Sequence, residues 1–201
     1  MLNQQTIEKL YTMKLNAMAG AFKEQMDSPE FSELAFPERF GLLVDRQWAW
    51  KEDRRMKRLL KNAKLKINAC LEDIDYRSPR GLDKSVMMNL ICCDWIRKHQ
   101  NVIITGATGV GKTFIACALA NKACRESFSA LYARAPRFYY DLAIAKADGS
   151  YPKFFSKMAK TQLLVLDDLG LSPMTDSERR HLLEVIEDRS GSASTLVASQ
   201  L

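Results

Sequence analysis

The sequence predicts an α/β fold in which helices cover both faces of a parallel sheet, preceded by a small all-helical amino-terminal domain. Three observations support this prediction. From about residue 83 onward, short apolar runs that are typical of buried strands alternate with helical segments. A glycine-rich loop follows the first of these runs and leads directly into a helical pattern. The first 69 residues show no strand pattern, and their apolar residues recur at helical spacing instead.

Three helical stretches are predicted in the amino-terminal region, the last of which covers residues 51–61. Apolar residues recur at helical spacing from Ile7 to Met26, and a second helix is expected to begin near Pro37 and to run through Trp48. The later sequence Ser-Pro-Arg-Gly at residues 78–81 is typical of a linker. The predicted domains are therefore residues 1–69 for the helical domain, 70–82 for the linker and 83–201 for the α/β core.

Four strands and a capped helix are predicted within residues 83–201. Asp83 is a residue type that caps helices, and the apolar residues after it continue at helical spacing. Because strands that alternate with helices pair in parallel, the helices are expected on both faces of the sheet. The predicted strands are Asn101–Thr105, Ala130–Arg134, Leu163–Asp167 and Thr195–Ser199.

A phosphate-binding loop is the strongest functional signal in the chain. Residues 106–113 read Gly-Ala-Thr-Gly-Val-Gly-Lys-Thr and satisfy every fixed position of the pattern G-x-x-x-x-G-K-[ST] between a predicted strand and a predicted helix. Glycines let the backbone curl so that N–H groups point at phosphate oxygens. Lys112 is expected to reach the β- and γ-phosphates of ATP, and Thr113 to bind Mg²⁺. The residues expected to contact the nucleotide are Gly106, Ala107, Thr108, Gly109, Val110, Gly111, Lys112, Thr113 and, from a later strand, Asp167.

An acidic strand end is expected to complete the nucleotide site. The apolar run that begins at Leu163 ends in Asp167 and Asp168. Asp167 is expected to hold Mg²⁺, usually through water, and Asp168 to polarise the attacking water. A strand that simply ends in an acidic turn is the alternative interpretation, because apolar runs followed by Asp are common. The presence of the loop at residues 106–113 favours the nucleotide site.

Polar residues also end the last predicted strand. Ser199 and Gln200 follow an apolar run at the point where a group that senses the γ-phosphate would lie. Either side chain is expected to position water, and simple termination of the strand is the alternative interpretation. The residues predicted to act in catalysis are Asp168, Lys112, Ser199 and Gln200.

Basic residues outnumber acidic ones and cluster locally. The chain has 30 Lys and Arg against 24 Asp and Glu, which gives a formal net charge of +6. This excess is compatible with a polyanionic partner such as double-stranded DNA, and a helical pattern over residues 51–61 places four cations on one face. A solvated outer face is the alternative interpretation. The candidate DNA contacts are Lys51, Arg54, Arg58, Lys61, Arg134, Arg137, Lys153 and Lys157.

Several classes of protein are not expected from this sequence. No apolar run approaches the ~18 to 20 residues that cross a bilayer, and residues 1–9 lack the pattern of a secretory signal. The five cysteines have neither C-x-x-C pairs nor histidines at ligand spacing, so a disulfide or metal role is not expected for them. We therefore expect a cytoplasmic protein without a membrane partner.

The combination of motifs resembles the IstB family, the ATP-dependent helper proteins of insertion-sequence transposition, and more distantly the helicase loader DnaC and the initiator DnaA. The resemblance covers all 201 residues. The loop is shared by many ATPases, whereas Asp-Asp-Leu-Gly after the apolar strand and Ser-Gln-Leu at the last strand are much narrower. The matching segments are Leu10 with Met13 and Ala17, Phe36 to Phe40, Gly106 to Thr113, Leu164 to Gly170 and Ser194 to Leu201.

The resemblance implies an AAA+ P-loop fold behind a helical amino-terminal domain. It also implies Mg²⁺-dependent hydrolysis of ATP, nucleotide-dependent assembly of a homo-oligomer on double-stranded DNA, and collaboration with a cognate transposase in target selection. A helicase loader of the DnaC type is the alternative within the same class, because it would share every ATP-binding residue and differ in its partner. Co-purification with a replicative helicase instead of a transposase would distinguish the two.

The chain departs from the family pattern at its carboxyl end. It stops at Leu201, where the family continues with a last core strand, a lid and the arginine that reaches a neighbouring subunit's γ-phosphate. Arg189 comes too early in the sequence to be assigned that role. The carboxyl-terminal part of the AAA+ module is therefore expected to be absent, and an ATP-binding assembly module with little hydrolysis is a further alternative.

Overall fold

Two compact units make up the chain, one ending at Lys57 and the other beginning at Arg58. The residues that the computed structural model describes are 2–77, 81–171 and 173–200. Residues 58–69, which the sequence pattern assigned to the helical domain, belong to the second unit. The physical reason is burial, because Ala63 and Ala69 are fully buried in the hydrophobic core of the second unit.

Helices form the first unit. The stretch predicted as one helical segment is divided into α1 (Leu2–Thr12) and α2 (Asn16–Asp27). The division occurs where Lys14 adopts a left-handed φ of 59°, which no α-helix accommodates. A 3₁₀ turn at Pro29–Glu33 follows, and α3 (Phe36–Ala63) then begins close to the predicted position and continues into the second unit.

Gln47 ties α3 to the beginning of α2. Its side-chain oxygen accepts hydrogen bonds from the backbone N–H groups of Ala17 and Met18, both at 3.1 Å. The first N–H groups of a helix have no partner within the helix, so a side-chain acceptor at that end stabilises it. Gln47 is buried, and the bond therefore fixes the position of α2 against α3 within the first unit.

The predicted linker is part of the core for much of its length. Leu71 and Ile74 are buried in the same hydrophobic cluster as Ala69, and a 3₁₀ helix forms at Leu71–Asp73. Residues 78–80 of the predicted linker lie outside the described residues. Burial of apolar side chains removes them from water, which explains why the segment before residue 78 packs against the second unit.

Asp83 caps α4 (Lys84–Ile91), as its residue type predicted. Its carboxylate accepts hydrogen bonds from the backbone N–H groups of Ser85 at 2.7 Å and Val86 at 3.3 Å. The Ser85 hydroxyl also donates to this carboxylate at 2.7 Å. This bond, followed by the two backbone bonds, lowers the pKa of the Asp83 carboxyl, because each favours the charged form. A short helix, α5 (Asp94–Arg97), connects this region to the first strand.

A four-stranded parallel sheet lies at the centre of the second unit, with the strand order β1-β4-β3-β2. The strands are β1 (Val102–Thr105), β2 (Ala130–Arg134), β3 (Leu163–Leu169) and β4 (Ser194–Ser199). All four predicted strands are present, and β3 continues past its predicted end. The remaining helices are α6 (Lys112–Arg125), α7 (Ala135–Ala147), α8 (Tyr151–Lys160) and α9 (Asp176–Arg189).

Both faces of the sheet are covered by helices, as predicted. Leu163 and Val165 of β3 pack with α6 on one face, whereas Leu164 and Leu166 pack with α7, α8 and α9 on the other. All four side chains are fully buried. A strand that is covered on both faces has a continuous apolar sequence, which is why this strand could be predicted from its residues alone.

The carboxyl ends of the strands meet at one edge of the sheet. The register pairs Thr105 of β1 with Ser199 of β4, and Arg134 of β2 with Asp167 of β3. The chain leaves β1 on one side of the sheet, crosses to β2 on the opposite side and returns through β3 and β4. Open α/β sheets bind ligands outside the carboxyl ends of their strands near such a change of direction. The fold thus brings the predicted site residues to one place.

Three of the protein's five cysteines serve as buried packing residues. Cys93, Cys117 and Cys124 are buried free thiols, and burial raises the pKa of the Cys124 thiol to about 11, so it stays protonated and unreactive. Among the described residues, no group of three or more His, Cys, Asp and Glu side chains is arranged to hold a metal ion. No helix in the described ranges is long and apolar enough to cross a membrane.

Candidate nucleotide-binding site

The phosphate-binding loop connects β1 to α6. Gly109 and Gly111 have φ values of 84° and 97°, in the left-handed region that favours glycine. At Gly106 a Cβ atom would lie 3.3 Å from Cγ2 of Val110, which is closer than side chains normally pack. Since α6 begins at Lys112, the last two residues of the loop are also the first two of the helix, and the N–H groups of this first turn have no partner within the helix. This arrangement favours the binding of phosphate groups.

The ammonium group of Lys112 is folded over the loop. Its Nζ donates hydrogen bonds to the backbone oxygens of Gly106 and Ala107, each at 2.7 Å. The loop therefore holds the cation against its own backbone, next to the N-terminus of α6. A phosphate group bound by the loop would find this positive charge within reach.

The side chain of Asp167 joins the loop to the end of β3. The carboxylate is 1% exposed, and its Oδ2 accepts a hydrogen bond from Thr113 Oγ1 at 2.7 Å. Its Oδ1 accepts the backbone N–H of Asp168 at 3.0 Å. The structure therefore brings together the two residues that the sequence assigned to Mg²⁺. A hydroxyl and a carboxylate are oxygen ligands of the kind that Mg²⁺ prefers.

Tyr132 on β2 is a member of the site that the sequence reasoning missed. Its phenol O–H donates to Oδ2 of Asp167 at 2.6 Å, and the side chain is buried. Burial and the charge of Asp167 raise the pKa of the Tyr132 phenol, so it remains a hydrogen-bond donor. The available signal was a polar side chain in an otherwise apolar strand segment, two residues before Arg134 and on the same face.

Asp168 departs from regular strand geometry. It has a φ of 59°, and the register between β3 and β4 is interrupted between Leu166 and Leu169. Its Oδ2 accepts a hydrogen bond from Nε of Arg134 at 2.7 Å. This pairing raises the pKa of the Arg134 guanidinium, which therefore keeps its charge. The carboxylate predicted to polarise water is thus bound to a cation from β2.

The two predicted sensor residues make different contacts. Oε1 of Gln200 accepts a hydrogen bond from Thr108 Oγ1 at 2.8 Å, so this side chain reaches the phosphate-binding loop. The Ser199 hydroxyl is buried and donates to the backbone oxygen of Leu169 at 2.7 Å, which ties β4 to the end of β3. Gln200 therefore lies closer to the position of a bound phosphate, and Leu201 lies outside the described residues.

A groove lined by cations runs beside β2. It consists of two cavities of about 530 and 570 Å³, which share Leu131, Lys64 and Lys157 in their walls. The cations that define this feature, called the β2 groove below, are Lys61, Lys64, Arg134, Arg137, Lys157 and Lys160. Lys64 and Lys160 were not predicted as DNA contacts, although each follows a predicted cation by three residues. An ion pair at 2.8 Å joins Arg137 to Asp141, and the groove is otherwise strongly basic.

The other candidate DNA contacts lie elsewhere. Lys153 and Arg58 line neither cavity of the β2 groove. Lys51 and Arg54 belong to the first unit, where the guanidinium of Arg54 lies 4.6 Å from the ring centroid of Trp50. Within the second unit, the structure therefore brings together only part of the predicted set.

Arg189 is an interior residue of the second unit. It is 1% exposed, and its guanidinium donates to the backbone oxygen of Thr161 at 2.7 Å and to Thr195 Oγ1 at 3.2 Å. It also donates to the backbone oxygens of Met158 and Ser194. Burial lowers the pKa of the Arg189 guanidinium to about 10. A guanidinium whose hydrogen bonds all go to its own chain stabilises that chain's fold. This agrees with not assigning Arg189 as the arginine that reaches a neighbouring subunit's γ-phosphate.

A glycine-rich loop at the carboxyl edge of a parallel sheet, facing an acidic strand end, defines a nucleotide-binding domain with the AAA+ P-loop fold. The IstB-like ATP binding protein family matches residues 8–201, and the chain belongs to this family. The sequence resemblance and the predicted fold are both confirmed.

Proteins of insertion sequences are among its relatives. The chain is 48% identical over 202 residues to the ATP-binding protein of insertion sequence IS1162 from Pseudomonas fluorescens, covering 100% of this chain and 87% of that protein. It is 47% identical over 201 residues to the insertion sequence ATP-binding protein y4pL of Sinorhizobium fredii, covering 100% and 82%. The chain is therefore an ATP-binding protein of the insertion-sequence type.

Solved structures with a similar fold include replication proteins. AMPPCP-bound DnaA from Aquifex aeolicus matches with a TM-score of 0.62 and 19% identity, over 69% of this chain and 43% of that one. The DnaC helicase loader matches with a TM-score of 0.56 and 20% identity, over 67% of this chain and 78% of that one. At these identities the likeness shows the fold alone.

Proposed function

We propose that the chain is an ATP-dependent DNA-binding helper protein that assembles as a homo-oligomer on double-stranded DNA and works with a cognate transposase in target selection and transposition. Its membership of the insertion-sequence family supports the context. The observation that carries the proposal is the position of Arg134, which lines the β2 groove and binds Asp168 in the nucleotide site. One side chain therefore connects the surface suited to DNA with the site suited to ATP.

The residues of the site are suited to the hydrolysis of ATP to ADP and phosphate. The loop and Lys112 would hold the phosphates, and Thr113 and Asp167 would hold Mg²⁺, which neutralises phosphate charge when bound. Asp168 would accept the proton of the water whose oxygen attacks the γ-phosphorus as the bond to the β-phosphate oxygen breaks. Gln200, next to Thr108, is in the best place to orient that water, with Ser199 supporting the strand end.

The β2 groove is suited to the phosphate backbone of DNA. Six Lys and Arg side chains line it, and Asp141 is the acidic residue among its walls. Contacts between cations and phosphates release counterions, so the affinity falls steeply as salt increases. Contacts between cations and phosphates carry no sequence information, so binding that depends little on sequence is expected.

The decisive experiment measures DNA affinity at fixed salt with ATP, without nucleotide and with the variant Lys112→Ala. The proposal requires tighter binding with ATP, loss of that gain in Lys112→Ala, and a larger complex by size analysis when ATP and DNA are both present. Equal DNA affinity in all three conditions would contradict it.

An ATP-binding assembly module with little hydrolysis is a second candidate. The pairing of Asp168 with Arg134 favours it, because Oδ2 of the carboxylate is already occupied by a hydrogen bond from the guanidinium. ATP hydrolysis that DNA stimulates and that Asp167→Ala abolishes would exclude this candidate.

A further inference from the structure

Tyr132 lies between the two parts of the nucleotide site, yet it belongs to neither sequence motif. We propose that Tyr132 is a positioning residue that holds the Asp167 carboxylate in the orientation needed to bind Mg²⁺. The inference rests on the proposed role of Asp167 as a Mg²⁺ site residue. Its basis is the hydrogen bond from the Tyr132 phenol to Oδ2 of Asp167 at 2.6 Å.

Two different elements hold the same carboxylate oxygen. Thr113 at the beginning of α6 and Tyr132 on β2 both donate to Oδ2 of Asp167, at 2.7 and 2.6 Å. The backbone N–H of Asp168 occupies Oδ1. Hydrogen bonds to both oxygens fix the plane of the carboxylate, and donors from separate elements oppose its rotation.

Burial makes this contact stronger than a similar one at the surface. Asp167 is 1% exposed and Tyr132 is 8% exposed, so water competes poorly for either group. Hydrogen bonds to ionised groups are about twice as strong as those between neutral groups. The phenol therefore has the position and the strength to orient Asp167.

The strand position of Tyr132 gives it a role that Thr113 does not fill. Thr113 belongs to the phosphate-binding loop and is itself proposed to bind Mg²⁺, so its hydroxyl serves two partners. Tyr132 lies on β2, the edge strand of the sheet, which pairs with β3 in regular parallel register, Tyr132 opposite Val165. It holds Asp167 from the neighbouring strand, as partners of metal-binding carboxylates commonly do.

The test compares Tyr132→Phe with Tyr139→Phe in the full chain. Tyr139 is a matched control, because it is similarly buried at 9% exposure and donates to Sδ of Met174 at 2.9 Å, on the other face of the sheet. The affinity for a fluorescent ATP analogue is measured over a range of Mg²⁺ concentrations and in EDTA. We expect Tyr132→Phe to need about 10- to 100-fold more Mg²⁺ to reach half of the Mg²⁺-dependent gain in nucleotide affinity. Its affinity for the analogue in EDTA is expected to be unchanged.

A purely structural role for Tyr132 would give a different result. It would lower the stability of the protein and leave the Mg²⁺ requirement at the wild-type value, which would overturn the proposal. An equal change in Tyr139→Phe would overturn it as well. The Mg²⁺-dependent rise in melting temperature provides a second readout, and each protein is compared with itself in EDTA so that a general loss of stability cancels.

A double-variant comparison tests whether Tyr132 acts through Asp167. If it does, adding Tyr132→Phe to Asp167→Asn will not increase the Mg²⁺ requirement further. An additional increase in that background would overturn the proposal. A wild-type protein whose nucleotide affinity ignores Mg²⁺ would overturn the Mg²⁺ assignment of Asp167 and the role of Tyr132 together, whereas a Mg²⁺-dependent wild type with an unaffected Tyr132→Phe variant would overturn the role of Tyr132 alone.

Discussion

Asp168 adopts a φ of 59° where β3 loses its register with β4, and the arrangement of the site depends on this residue. In a regular strand, the side chains of Asp167 and Asp168 would point to opposite faces. Asp167 shares a face with Tyr132 by regular alternation, and the left-handed conformation lets Asp168 meet Arg134 as well. Asp adopts this conformation more readily than most residues, which is a physical reason for Asp at this position.

Replacing Asp168 by Asn tests its role as the base. The amide keeps the size of the side chain but cannot accept the proton, so we expect ATP hydrolysis to fall by about 10²- to 10⁴-fold with nucleotide affinity retained. Steady-state phosphate release and analogue binding are the measurements. A similar loss of hydrolysis in the control Asp141→Asn, which changes a carboxylate of the β2 groove, would contradict the assignment.

The pair between Arg134 and Asp168 predicts a link between DNA binding and hydrolysis. Because Arg134→Ala releases Asp168 and removes a cation from the β2 groove, hydrolysis without DNA is expected to rise and its stimulation by DNA to shrink. Arg137→Ala removes a neighbouring cation of the same groove that pairs with Asp141 instead. Phosphate release without DNA is compared between the two variants, and the difference measures how much the pair between Arg134 and Asp168 restrains hydrolysis. Equal rates in the two variants would contradict this link.

Short sequence patterns were sufficient to predict some of the residues of the nucleotide site. The loop and Asp167 follow from short patterns whose chemistry requires those residue types at that spacing. The contacts of Tyr132 and Arg134 depend on which residues of β2 lie opposite β3 and on an interruption in the register, and neither is visible in a short segment. Lys112 was expected near phosphates, but its bonds to the loop backbone could not be predicted from the pattern.

At the scale of elements, Arg189 connects three parts of the second unit. It sits at the end of α9 and donates to the end of α8, through Met158, and to the beginning of β4, through Ser194 and Thr195. The position of β4 next to β3 therefore depends in part on a buried cation.

Arg189→Ala is expected to destabilise the protein by about 3–5 kcal/mol, because several buried carbonyl oxygens lose their donor. Urea unfolding of the full chain measures the change. The control is Arg179→Ala on the same helix, whose exposed ion pair with Asp176 is expected to contribute about 0–1 kcal/mol. Equal losses in the two variants would contradict the assigned role.

The strands were easier to predict than the helix boundaries, for physical reasons. A strand covered on both faces is apolar throughout, and β3 shows this directly. The division between α1 and α2 depends on the conformation of a single residue, Lys14, in a stretch whose spacing suits one helix. Residues 70–77 look like a linker in sequence, but Leu71 and Ile74 find a core to pack against.

On the scale of the whole molecule, charge distribution gives more information than net charge. The net charge of +6 is compatible with a polyanionic partner and does not locate a site for one. Folding brings cations from α3, β2, α7 and α8 to the β2 groove, although they lie far apart in the chain. Basic residues that are close together in the sequence predicted only part of this surface. The groove forms beside β2 because β2 is the edge strand of the sheet, which the sequence does not reveal.

The β2 groove predicts how DNA binding depends on salt. Each cation that contacts a phosphate contributes about one unit to the slope of log affinity against log salt, so Lys157→Ala and Lys64→Ala should each reduce the slope by about one. Lys153→Ala is the control, since Lys153 lies on α8 but lines neither cavity. Affinity measured at several salt concentrations gives the slopes, and an equal reduction in all three variants would place the DNA elsewhere.

The ammonium of Lys112 has a consequence for the selection of ligands. Its two bonds to the loop backbone must be exchanged for bonds to phosphate, so the number of hydrogen bonds changes little when a nucleotide enters. The net gain then comes chiefly from Coulomb attraction between the cation and the phosphate chain. Such a loop ranks nucleotides by the negative charge they carry, and it discriminates poorly between bases.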